Sequence, residues 1–186
     1  MTTTTLEADA RTDIRVEDVE YQRQAGRPLL ARLYRPAATG PFPAVIQVHG
    51  GAWVSKDRTD NDFIAKALAE SGIVVAAIDF RMPPDAGYPA SLADINLAVR
   101  WLKARARTYG SRPDWVGLFG TSSGGHQALL AAMRPDDARY AALPLEDAPR
   151  VDARVAFVIS GWGVLDPLLR YHLAKKAGNS ELVENH

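Results

Sequence analysis

The chain has 186 residues, 47% of them hydrophobic and 24% charged, with 22 basic residues, 22 acidic residues and no cysteine. This size and apolar fraction indicate one domain with a sizeable core. The formal net charge of zero gives no indication of binding to nucleic acid or to an anionic membrane. The lack of cysteine excludes disulfides, thiolate metal sites and a cysteine nucleophile.

The N-terminal residues 1–12, which begin M-T-T-T-T, predict a disordered arm. They contain neither the basic stretch nor the apolar stretch of a signal peptide. No apolar run in the chain approaches the length that spans a membrane. We therefore expect a cytoplasmic protein with no membrane insertion.

The predicted elements that follow change character along the chain. Residues 14–22 and 29–34 alternate as two strands of a hairpin, whereas the next strands are unbroken apolar runs at 44–48, 73–78, 116–119 and 155–159. Helices are predicted at 60–71, 91–109, 123–133 and 167–177. Continuous apolar strands are typical of a mostly parallel sheet flanked by helices, which predicts an α/β fold. Residues 13–161 would form its core, and residues 162–186 would begin a cap or lid.

A glycine loop, H-G-G-A-W at residues 49–53, directly follows the strand predicted at 44–48. Bare glycines leave backbone N–H groups unshielded, so that they can face a developing negative charge. The amides of Gly51 and Ala52 are the predicted donors. His49 and Gly50 belong to the same loop and support it.

An elbow, G-T-S-S-G at residues 120–124, lies between the strand predicted at 116–119 and the following helix. A serine at such a corner is the nucleophile-elbow pattern. The turn leaves no room for side chains two residues away, which explains Gly120 and Gly124. Ser122 is therefore the predicted nucleophile, and the amide of Ser123 is the further oxyanion donor.

These two motifs and a third, D-F-R-M-P-P-D-A-G-Y-P-A at 79–90, carry a family resemblance. The chain resembles the esterase and lipase branch of the α/β-hydrolase fold, close to the hormone-sensitive-lipase-like and arylformamidase-like carboxylesterases. It departs from their commonest form at Phe80, where tyrosine is usual, and at Thr121 and Ser123, where aspartate and alanine are most frequent. The resemblance spans about residues 14–165.

A serine nucleophile needs a base, usually an imidazole that a carboxylate holds in the right tautomer. In this fold the acid and then the histidine follow the serine in the chain. The resemblance implies that both come after later strands, well past residue 160. We therefore expect the last strands and helices of the fold to be absent. An Asp or Glu and a His would come from a missing portion or a second chain, and this chain alone would be inactive.

Five residues of this chain are candidate substitutes for that acid and base. The resemblance implies that His49 orients the glycine loop, and His126, one helical turn after Ser122, fits the pocket floor or core packing better than catalysis. His172 falls on the helix predicted at 167–177, and His186 is terminal. Asp166 precedes Pro167, a pattern that favours a helix N-cap over a catalytic acid.

Several other side chains have both a functional and a structural interpretation. Trp53 ends the H-G-G-A-W loop and Trp162 directly follows Gly161. Both lie near a predicted strand end, where they could form an apolar wall of a substrate pocket or pack in the core. His126 would line the same pocket. Arg81 and Asp94 are predicted as an internal structural pair rather than as catalysts.

The expected activity is hydrolysis of a small, uncharged carboxylic ester, because the predicted mouth shows apolar and aromatic residues and no basic cluster. No metal or organic cofactor is implied. An arylformamidase or amidase, and a non-catalytic hydrolase-like binding domain, stay open as alternatives. An apolar edge at 155–159 and an uncovered apolar side at 168–177 would favour one piece of a longer enzyme.

Overall fold

The computed structural model describes residues 12–180 and residue 183, so the predicted arm at 1–12 lies outside it except for Thr12. Within these residues a sheet of six strands has the order β1-β2-β4-β3-β5-β6. The strands are β1 (Ile14–Gln24), β2 (Arg27–Pro36), β3 (Phe42–Val48), β4 (Val74–Ile78), β5 (Ser111–Thr121) and β6 (Val158–Gly161). The helices are α1 (Asp62–Glu70), α2 (Ala90–Arg105), α3 (Ser123–Met133) and α4 (Pro167–Lys176).

The sheet is mixed, with its parallel part at the centre. The β1–β2 and β2–β4 pairs are antiparallel, whereas β4–β3, β3–β5 and β5–β6 are parallel. All five residues of β4 and the last five of β3 are buried. This burial follows from their unbroken apolar sequence, and it confirms the predicted α/β architecture.

The last strand differs from its prediction. The strand predicted at 155–159 is observed as β6 (Val158–Gly161), and its residues are half-buried or exposed instead of buried on both faces. Two backbone bonds to β5 already form before it, from Ala156 N to the Val116 carbonyl and from Leu118 N to the Phe157 carbonyl. β6 stays open because it lies at the end of the strand order, with β5 on one side only.

Helix α4 follows β6 and starts where the sequence predicts a cap. The Asp166 carboxylate accepts a hydrogen bond of 2.8 Å from the Leu169 amide, and Pro167 is the first helical residue. Asp166 is therefore a helix N-cap, which confirms the favoured interpretation. Of the α4 residues, Ala174 is buried; three leucines are exposed, namely Leu168, Leu169 and Leu173.

Candidate active site

Ser122 occupies a strained turn between β5 and α3. Its φ of 53° and ψ of −122° are rare for a residue with a side chain. Its amide donates to the Gly161 carbonyl at 3.0 Å, and its carbonyl accepts from the amides of His126 at 3.3 Å and Val164 at 3.1 Å. The turn is thus held by β6 and the residues that follow it, and the side chain is half-buried.

Gly120 and Gly124 lie where the structure has no room for a Cβ atom. At Gly120 a Cβ would overlap the Gly124 carbonyl, and at Gly124 it would overlap the carbonyl oxygens of Val48 and His49. The start of α3 therefore packs directly on the end of β3. This backbone contact brings together the two glycine motifs, which are far apart in the sequence.

The glycine loop turns through a series of left-handed residues. Gly51, Ala52 and Trp53 have φ values of 99°, 52° and 67°. A Cβ at Gly51 would overlap the Ser55 carbonyl, and one at Gly50 would lie 3.2 Å from the Cβ of Ser122. The loop thus passes directly beside the elbow serine.

Two amides of this loop have no backbone acceptor. Within the described part of the chain, the N–H groups of Gly51 and Ala52 donate to no carbonyl. The Trp53 amide instead donates to the Ser123 hydroxyl at 3.2 Å. Ser123 is the first residue of α3, so its own amide belongs to the positive end of the helix dipole.

His49 is enclosed beneath the glycine loop. Its Nδ1 donates to the Gly50 carbonyl at 2.8 Å, and its ring stacks on Phe80 with the centroids 4.3 Å apart. Burial lowers the pKa of His49, so the imidazole is neutral near pH 7. The contacts are those of a loop-supporting residue.

His126 contacts Trp53. The indole Nε1 donates to the His126 Nδ1 at 3.3 Å, and the two rings meet edge to face with centroids 5.8 Å apart. Burial lowers the pKa of His126 below its ordinary value. The predicted pocket residues Trp53 and His126 are thus neighbours, and His126 lies one helical turn after Ser122.

The remaining candidates have other surroundings. Trp162 is 71% exposed, so its core-packing interpretation is wrong. His172 is exposed on α4, where its ring meets Tyr171 at a centroid distance of 5.5 Å. His186 lies outside the described residues.

Arg81 and Asp94 form the internal pair that the sequence predicts. The Arg81 amide donates to the Asp94 carboxylate at 2.8 Å, and the guanidinium Nε and NH2 donate to it at distances between 2.8 and 3.1 Å. Asp94 is fully buried, and Arg81 donates hydrogen bonds to both of its carboxylate oxygens. This pair fixes the start of the segment that follows β4.

A cavity of about 820 Å³ lies beside the glycine loop, over the end of β4, and His49 and Phe80 form part of its wall. The sequence interpretation missed one feature of this cavity: basic residues from separate segments of the chain line it. Each of these is paired with a carboxylate: Arg27 with Asp85, Lys56 with Asp60, Arg58 with Asp79 and Arg81 with Asp94. Ser122 is not among the residues that line this cavity, so the expected apolar mouth beside Ser122 stays a prediction.

Sequence reasoning also missed Asn61 and the hydroxyl of Ser123. The Asn61 amide donates to the Thr121 hydroxyl at 3.1 Å, next to Ser122. No local motif signals either contact, because each joins residues at least 60 positions apart. In the described ranges there is no cluster of three or more potential metal ligands. None of the helices described is both long and apolar enough to span a bilayer.

The sheet order, the elbow and the adjoining glycine loop define an α/β-hydrolase fold. Residues 32–184 match the model of the BD-FAE family. The chain therefore belongs to the BD-FAE family, which agrees with the resemblance carried by the three sequence motifs.

Two relatives show how much of a related protein this chain represents. The probable carboxylic ester hydrolase LipM of Mycobacterium tuberculosis is 36% identical over 129 residues, which cover 69% of this chain and 29% of LipM. The versiconal hemiacetal acetate esterase of Dothistroma septosporum is 34% identical over 103 residues, 54% of this chain and 31% of the relative. The chain thus spans less than a third of either relative.

Solved structures give the same result for the fold. A thermophilic esterase from Thermogutta terrifontis has a TM-score of 0.72 at 24% identity, covering 80% of this chain and 53% of that one. A hyperthermophilic esterase from Pyrobaculum calidifontis has a TM-score of 0.60 at 32% identity, covering 69% of this chain and 40% of that one.

Proposed function

We propose that this chain is the nucleophile-bearing part of a serine hydrolase that cleaves small, uncharged carboxylic esters. The observation that carries the proposal is the backbone contact between the elbow and the glycine loop. It sets the Ser122 side chain beside Gly50 and leaves the amides of Gly51 and Ala52 without carbonyl partners in the described residues. The relatives named above, which are esterases, support the same class of reaction.

In the proposed reaction, the Ser122 hydroxyl oxygen attacks the carbonyl carbon of the ester and gives its proton to an imidazole. The amides of Gly51, Ala52 and Ser123 bind the oxyanion, at the N-terminus of α3. The alkoxide leaves with the proton from the imidazole, and an acyl group stays on Ser122. Water, deprotonated by the same imidazole, then releases the carboxylic acid and restores the serine.

The imidazole and its carboxylate come from residues outside this chain in the proposed enzyme. The histidines of the described residues have other surroundings: His49 supports the glycine loop, His126 contacts Trp53, and His172 is exposed on α4. Residues 13–161 would be the incomplete catalytic core, and 162–186 would begin a cap. A further segment, in the same polypeptide or a second one, would cover the open side of β6 and supply both groups. Intact-mass analysis of the purified protein tests this, because a single 20.2 kDa species with full activity would contradict it.

Pocket residues are proposed on the same basis. Trp53 and His126 form a joined pair beside the glycine loop and would contact the acyl or alcohol group of the ester. Trp162, exposed after β6, would join them once the covering segment is present.

The decisive experiment is covalent labelling of the complete protein with a fluorophosphonate. We expect one adduct on Ser122, and none in the Ser122→Ala variant. No labelling of the unaltered protein would favour a non-catalytic binding domain. Among turnover substrates, p-nitrophenyl butyrate should be cleaved faster than N-formylkynurenine, and the reverse preference would indicate an arylformamidase.

A further inference from the structure

The hydroxyl groups on both sides of Ser122 bond to the segment that contains the glycine loop. The Thr121 Oγ1 accepts from the Asn61 Nδ2 at 3.1 Å, and the Ser123 Oγ accepts from the Trp53 amide at 3.2 Å. Thr121 is 3% exposed and Ser123 is fully buried. Two partly buried bonds thus join the elbow to positions 53 and 61, near the two ends of segment 49–61.

The Asn61 side chain bonds to the elbow and does not cap helix α1. It is the N-cap residue of α1, where an asparagine oxygen normally accepts from a backbone amide of the first helical turn. Here it makes no such bond, and its Nδ2 donates to Thr121 and, at 2.7 Å, to the Asp60 carboxylate. The backbone at Asn61 is left-handed, with φ of 61°, a conformation that asparagine tolerates better than most residues. Both features favour contact with the elbow over capping of the helix.

The bond to Ser123 acts at the most strained part of the glycine loop. Ala52 and Trp53 are consecutive left-handed residues with side chains, and such conformations persist only where the surroundings hold them. The Ser123 hydroxyl binds the amide that directly follows Ala52. It therefore restrains the loop next to the two amides that are free to face a ligand.

We propose that Thr121 and Ser123 are positioning residues that hold segment 49–61 against the elbow and keep the Gly51 and Ala52 amides directed at the oxyanion. This inference rests on the proposed function, because the direction of these amides matters only if Ser122 attacks a carbonyl. A displacement of about 1 Å in a catalytic group can cost roughly 10²-fold in rate. The loss should fall on kcat, since the amides bind the transition state more tightly than the substrate.

The first test uses Ser123→Ala in the complete protein with p-nitrophenyl butyrate. We expect kcat to fall about 10- to 100-fold, with KM changed by less than about twofold. Amide hydrogen exchange at residues 50–54 should become faster. An unchanged kcat and unchanged exchange would overturn the proposal, and so would a loss confined to KM.

The second test uses the other bond and covers the case in which Ser123→Ala folds poorly. Asn61→Gly keeps the left-handed backbone but removes the amide group, and Thr121→Val keeps the side-chain shape but removes the hydroxyl. Each should lower kcat, and Thr121→Ser, which retains a hydroxyl, should recover the kcat lost in Thr121→Val. Because both single changes remove the same Asn61–Thr121 bond, the double variant should be no slower than the slower single variant. Fully multiplicative losses would contradict the proposal.

Hydrogen exchange separates failure of this inference from failure of the proposed function. If the unaltered protein does not react with a fluorophosphonate, the proposed function fails. Exchange at residues 50–54 in Ser123→Ala and Asn61→Gly still shows whether the two bonds hold the segment. Unchanged exchange in both variants overturns the inference, whatever the catalytic result.

Discussion

The two edges of the sheet differ sharply in what they present to the surroundings. β1, at one edge, carries charged side chains that pair with β2, as in Asp18 with Arg32 and Glu17 with Arg35. Its pairing also contains a bulge between Glu20 and Gln22. β6, at the other edge, is four residues long and is surrounded by exposed apolar side chains: Phe157, Ile159, Trp162 and Leu165.

This difference shows which edge is built to remain open. Charged side chains and bulges are the features by which proteins protect an edge strand from pairing with another chain. β1 has both, whereas β6 and its flanking residues, and also α4, expose apolar side chains. Such a concentration of exposed apolar side chains is typical of a site of contact. The comparison therefore supports the proposed segment that covers β6 and supplies the acid and the base.

The largest effect is expected for Ile159→Lys in the complete protein. Ile159 is 51% exposed in this chain. If a further segment covers it, the lysine would be buried without a partner and the free energy of unfolding should fall by about 4 kcal/mol. Denaturant unfolding measures this change.

Val16→Lys on β1 is the matched control, because Val16 is 47% exposed at the opposite edge. Its effect should stay within about 0.5 kcal/mol, as for most surface substitutions. Equal, small effects of the two lysines would show that β6 faces solvent in the complete protein, and the comparison would fail.

An intermediate effect is expected for Leu173→Gln on α4. If the same segment covers this leucine, the substitution should lower the free energy of unfolding by about 2 kcal/mol, because apolar burial is lost. Lys175→Gln, on an exposed position of the same helix, should change it little. If Ile159→Lys is costly and Leu173→Gln is neutral, the covering segment contacts β6 but does not extend over α4.

The sequence predicts the centre of the molecule better than its edge. The buried strands β3 and β4 and helix α3 were recognised from unbroken apolar runs and from the elbow, since local sequence determines both. The strand predicted at 155–159 begins at Val158 instead, because its start depends on pairing with β5 and not on its own apolar pattern.

The candidate site was predictable to a similar extent. The glycines that let the loop and elbow pack together are local signals, and Gly120 and Gly124 identify the turn around Ser122. The contacts of Asn61 with Thr121, and of Trp53 with Ser123, were not predictable, because they join distant segments through single side-chain atoms. No sequence period or motif encodes such pairs.

The smallest effect is expected for Asp18→Asn, which tests the charged edge strand β1. The Asp18 carboxylate binds Arg32 at 2.8 Å and Arg58 at 2.9 Å, and these guanidinium groups hold its pKa well below the usual range. A partly exposed network of this kind contributes about 1 kcal/mol near neutral pH. Asp18→Asn should reduce the unfolding free energy by that amount, whereas Glu20→Gln, in a more exposed pair on the same strand, should change it little.

The pH dependence of that difference identifies its origin. Because the pKa of Asp18 is lower in the folded than in the unfolded protein, its contribution is complete above the unfolded value of about 3.9 and is lost as the pH falls toward the folded value. Urea unfolding should therefore show a constant gap between the wild-type protein and Asp18→Asn from about pH 6 to 8, which narrows below about pH 4. A gap that does not depend on pH would mean that Asp18 acts through packing instead of charge. The protection of the β1 edge would then depend on its bulge, and the contrast with β6 would be one of backbone shape.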